Sequence, residues 1–137
     1  VAPAAAAAAG AAPGAGDSHP VLEPRALESL QSQLGAEYLS EILREYVTQA
    51  RGQVEVLTQG YVDMQAPEVL RAAHDLKSTS VNFGFLWLAR LVEQVEAAAR
   101  VGDVQSAQAL AAELKGRLGR TLQVLAEAYP SVAVAAE

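Results

Sequence analysis

Apolar residues recur along this chain at three- and four-residue spacings, and no stretch shows the two-residue alternation of a half-buried strand. Leu27, Leu30 and Leu34 predict a short first helix from Pro24 to Leu34, opened by a first-turn proline and stopped by Gly35. Its single apolar stripe suits a lid lying across a larger body. Leu39, Ile42, Leu43, Tyr46, Val47, Ala50, Val54 and Leu57 predict a second helix from about Glu37 to Thr58, long enough to tolerate Gly52 and ended near Gly60. Pro67 opens a third helix that runs to Val81, with Val69, Ala73, Leu76 and Ser80 facing inward. Asn82-Phe83-Gly84 is a tight corner. A fourth helix from about Phe85 to Val101 turns Leu88, Ala89, Val92, Val95 and Ala99 inward. After Gly102, Asp103 caps a fifth helix that continues to about Ala128, on Val104, Ala107, Ala111, Leu114, Leu118, Leu122 and Leu125. Four long amphipathic helices with short connections form an all-α, antiparallel up-down four-helix bundle, with the short N-terminal helix covering one end.

Composition refines this picture. Residues 1–20 are dominated by Ala, Gly and Pro and read as a flexible interdomain linker; they lack the basic start and bulky apolar run of a signal peptide. The folded domain is expected over 21–129, and 130–137 as a disordered tail. The chain holds no cysteine, which excludes disulfides, zinc-thiolate sites and cysteine nucleophiles. Its net charge of −6 argues against nucleic acid or an anionic membrane as the main partner. No apolar run approaches the length of a bilayer span.

The chemistry concentrates on the third helix. Lys77 and Ser78 lie three and four residues after His74, on the same face, with Arg71 one turn back and Leu70 and Val81 extending the stripe at its ends. That stripe is rotated away from the inward one, so His74 is expected to face solvent. A lone imidazole beside a cation and a hydroxyl lacks the further ligands a metal needs, but it is suited to carry a phosphoryl group. Lys77 would offset the arriving negative charge and Ser78 would donate a hydrogen bond to it. On spacing alone, an ordinary surface histidine is the simpler account. A hydrolase using His74 as general base would need a nucleophile and an oxyanion donor beside it, and no such constellation can be read.

The stretch Ala73-His74-Asp75-Leu76-Lys77-Ser78-Thr79-Ser80, followed in register by Gly84, Leu88, Val92, Val95 and Glu96, resembles the histidine-containing phosphotransfer (HPt) domain. The resemblance implies that His74 is the phosphoacceptor through Nε2, that Lys77 stabilises the phosphate and that Ser78 neighbours it. Glu96 would reach the other ring nitrogen, Nδ1, and orient the ring; an ordinary boundary glutamate is the alternative. Leu70, Arg71, Val81 and Gly84 form the docking set for a partner, Gly84 chiefly as a corner residue. The implied function is that of a phosphorelay intermediate between a receiver domain of a hybrid sensor kinase and that of a response regulator, a phosphocarrier and not an enzyme. It implies no cofactor of its own, Mg2+ being expected in the partner receiver. The isolated domain is expected to be monomeric and cytoplasmic, with no membrane contact except through a parent sensor kinase. The alternatives are a helical interaction or dimerisation module without phosphotransfer, and a dimerising histidine-kinase bundle, which would need a nucleotide domain to feed it but which the His74-Asp75 pair does not by itself exclude.

Overall fold

The computed structural model describes residues 19–59 and 66–132. Most of the expected linker, the helix stop at Gly60 and residues 133–137 of the expected tail lie outside the described residues.

Among the described residues, six α-helices follow one another: α1 Pro24–Leu34, α2 Ala36–Gln59, α3 Pro67–Asn82, α4 Leu86–Arg100, α5 Val104–Ala111 and α6 Leu114–Ala128, with a 3₁₀ turn at Pro130–Val132. Among the described residues there is no strand. The bounds of the first four helices match the periodicity to within a residue or so. The expected fifth helix is divided. At Ala112 and Glu113 the winding tightens, the Glu113 N–H donating to the Leu110 carbonyl at 3.0 Å, three residues back. Both residues keep right-handed helical backbone angles, so the apolar spacing runs through the break without registering it.

The bundle closes as a ring: α2 packs on α3, α3 on α4, α4 on α5 and α6, and α6 back on α2. One leucine from each of several helices shows where the core lies: Leu27, Leu43, Leu76, Leu88 and Leu125 are all excluded from solvent. Each such side chain contributes on the order of 1.5–3 kcal/mol by leaving water.

The N-terminal segment covers the α3–α4 corner, as expected of a lid. Glu23 N–H donates to the Gly84 carbonyl at 2.8 Å, and Trp87 N–H to the Pro20 carbonyl at 2.9 Å. Glu23 also caps α1, its carboxylate accepting from Arg25 N–H. Trp87 is buried beside Val21, just ahead of α1, with Arg117 stacked 4.5 Å from its ring centre and donating to its carbonyl at 2.8 Å. Leu91 belongs to the main core.

The tail expectation is corrected for its first three residues. Pro130 ends α6, but the chain then folds back against α2. Val132 is 1% exposed, the Ser131 and Ser40 hydroxyls meet at 2.8 Å, and Arg44 donates to the Ser131 carbonyl at 3.3 Å. Burial of one valine and these polar contacts hold a segment whose composition alone reads as frayed.

Candidate functional site

Helix α3 sorts its faces as a 3.6-residue period requires. Val69, Ala73, Leu76 and Ser80 are buried, while His74, Arg71 and Ser78 are exposed. Leu70 and Val81, on the histidine stripe, remain 42% and 50% exposed, although both are large and apolar. Exposed apolar residues bracketing a histidine are what a protein partner needs to expel water around a reacting group.

The rotation of α3 that turns His74 outward is fixed at its C-terminal end. Ser80 is fully buried and meets the Tyr46 hydroxyl of α2 at 2.8 Å. Its neighbour Thr79 bonds back to its own helix, donating to the Asp75 carbonyl at 2.9 Å. The Tyr46 ring lies edge-on to Phe83 at 5.4 Å between ring centres and 5.1 Å from that of Phe85. Burial pushes the Tyr46 phenol far above its ordinary range, only partly offset by the bond to Ser80. This aromatic plug ties the corner to α2 and resists rotation of α3 about its axis.

Gly84, grouped with the docking face on sequence, is buried and cannot serve there. It adopts φ +84°, and a Cβ at this position would stand 2.8 Å from the Ala26 Cβ and 2.9 Å from the Glu23 carbonyl oxygen. Its lack of a side chain is what lets the α1 segment sit on the corner.

Glu96 approaches this face from α4, but not against the imidazole. Its Oε1 lies 2.7 Å from Lys77 Nζ, with the glutamate side chain 10% exposed and the lysine 30%. Oε1 is sealed from solvent and meets Lys77 as an ion pair rather than as a well-directed hydrogen bond. The expected contact with Nδ1 of His74 is therefore not formed; the carboxylate is paired with the Lys77 ammonium instead. The His74 ring makes no hydrogen bond or ion pair to any described residue. The site brings together His74, Lys77 and Ser78 on one helix, and Glu96 behind Lys77. Periodicity within a helix cannot reveal the last contact, since it joins residues on either side of the corner. Among the described residues, no cluster of three His, Asp or Glu side chains is arranged to hold a metal, and no helix is long and apolar enough to cross a membrane.

A family model, the Hpt domain, matches residues 41–127, well over half of the chain. The match starts inside α2 and ends inside α6, so it takes in the His74 stretch, the corner and Glu96 and leaves α1 outside. A search of curated proteins and one of solved structures returned no match. Domains of this family are phosphocarriers that exchange phosphoryl groups with receiver domains. With the helical bundle of the fold and this match in agreement, the chain belongs to the Hpt domain family, the histidine phosphotransfer modules of two-component phosphorelays.

Proposed function

We propose that His74 accepts a phosphoryl group from the aspartyl phosphate of one receiver domain and passes it to the aspartate of a response regulator. The observation that carries this reading is an imidazole exposed to solvent and free of described partners, inside the matched region, with Lys77 and Ser78 one turn away. The other histidine, His19, lies outside that region. In the forward step the Nε2 lone pair attacks phosphorus while Nδ1 keeps its proton. The N–P bond forms as the acyl O–P bond breaks, and its electron pair returns to the receiver carboxylate. The second step reverses these events on another receiver. Lys77 offsets charge on the phosphoryl oxygens, and Ser78 is placed to donate to one. The bundle contributes position and charge; Mg2+ and the acidic pocket belong to the receiver.

Leu70 and Val81, with Arg71 at the rim, form the docking face in this reading. The domain acts as a monomer in the cytoplasm, as a module of a hybrid sensor kinase. The test is transfer from a receiver domain carrying labelled phosphate, with wild type compared against His74→Gln. Acid-labile, base-stable label on the wild type alone is the expected result. Equal label on both proteins refutes His74 as the acceptor, and no label on either favours an interaction module without phosphotransfer.

A further inference from the structure

The Lys77–Glu96 pair joins two opposite charges at a lysine one helical turn from His74, and only one of them helps to hold a phosphoryl group. Resting on His74 as the acceptor, we propose that Glu96 is a positioning residue that acts through Lys77. It occupies part of the lysine's charge and so keeps the phosphohistidine from becoming too stable to pass its phosphate on.

The argument begins from burial. Glu96 Oε1 has no solvent contact and no directed hydrogen bond, so the Lys77 ammonium 2.7 Å away is its compensating charge. If Lys77 swung fully to a phosphoryl group, a buried carboxylate oxygen would be left without a counter-ion, which is strongly unfavourable. Lys77 therefore stays anchored. An ammonium carries three N–H donors, and with the side chain still 30% exposed, Lys77 has donors left for a phosphoryl oxygen one helical turn away. The phosphoryl group then meets a lysine whose charge is already shared, with a carboxylate behind it. Both effects weaken its hold relative to a free lysine. A relay intermediate needs this balance, because a carrier that bound phosphate too well would act as a sink.

The other anion near the face does not substitute for Glu96. Asp75 is exposed and adjacent to His74, so water screens it. Arg71 is the remaining exposed cation of the stripe.

The proposal predicts a specific direction for Glu96→Gln, which keeps the shape and removes the charge. At equilibrium with a receiver domain that exchanges labelled phosphate with the wild type, the variant shifts the distribution toward phospho-His74 by roughly three- to tenfold, the scale of one partly buried charge contact. Lys77→Gln shifts it the other way. The tautomer ratio of the His74 ring, read from imidazole 15N shifts, stays as in the wild type in Glu96→Gln, since the carboxylate does not act on the ring. A distribution unchanged in Glu96→Gln, one moved toward the receiver, or a changed tautomer ratio would each overturn the proposal, the last in favour of direct ring orientation. Failure of the underlying reading looks different: the wild type then takes up no label at all.

Discussion

Replacing Gly84 with alanine tests the corner from which the site is suspended. The glycine sits at φ +84°, where an L-residue is strained by about 1–2 kcal/mol. The new methyl group would also stand 2.8 Å from the Ala26 Cβ and 2.9 Å from the Glu23 carbonyl oxygen. Neither neighbour is the mobile end of a long side chain. The Glu23 carbonyl accepts from Ala26 N–H at 3.1 Å, and Glu23 N–H donates to Gly84 itself at 2.8 Å, so the segment cannot withdraw without losing backbone bonds. Overpacking of this kind costs about 1–3 kcal/mol. Together the two effects amount to roughly 2–5 kcal/mol, a large share of the stability of a domain this size. Urea titration followed by far-UV circular dichroism should show the loss, with Tm lower by about 10 °C or more. Gly52→Ala is the matched control. It lies in the interior of α2 with nothing within 4 Å of an added Cβ, and alanine there should stabilise by about 0.5–1 kcal/mol. If Gly84→Ala loses less than about 0.5 kcal/mol, the account of α1 clamped on a glycine corner is wrong.

The aromatic plug predicts an alkaline limit. Tyr46 stays protonated in the fold, its phenol raised by burial, while the unfolded chain releases that proton near pH 10. Its contribution is therefore complete below about pH 10 and declines above it. Tyr46→Phe should cost about 0.5–1.5 kcal/mol at neutral pH through the lost Ser80 bond, and should shallow the decline in urea midpoint between pH 10 and 11; an unaltered decline would refute the assignment. Truncation after Tyr129 removes Val132 and the Ser131 contacts and should cost about 1.5–3 kcal/mol by thermal unfolding, where a frayed tail would cost nothing. Leu70→Asp and Val81→Asp should slow phosphotransfer while changing stability by no more than about 1 kcal/mol, since both residues lie at the surface and only about half covered; equal transfer rates would remove them from the docking face.

The helices were legible because each one's burial is one-sided and long enough to impress a period on the residues, as Val69, Ala73, Leu76 and Ser80 do on α3. Pro24, Pro67 and Asp103 marked helix starts through their own backbone chemistry. The break at Ala112–Glu113 escaped because tightened winding leaves side-chain spacing almost unchanged. The fold-back of Val132 escaped because one buried valine and a serine pair leave no periodic trace.

The exposure of His74 and its company of Lys77 and Ser78 were local properties of one helix, and the chain's order of residues settled them. What Glu96 does was a different kind of question. Its partner lies across a corner, and the packing of α3 on α4 is what brings the Lys77 ammonium to its carboxylate. Likewise Gly84, close to the His74 stretch in sequence, is covered in the fold by the α1 segment at Glu23 and Ala26. Local sequence determines which face a side chain occupies; only the meeting of two elements decides which charge it neutralises and whether that face is still open to a partner.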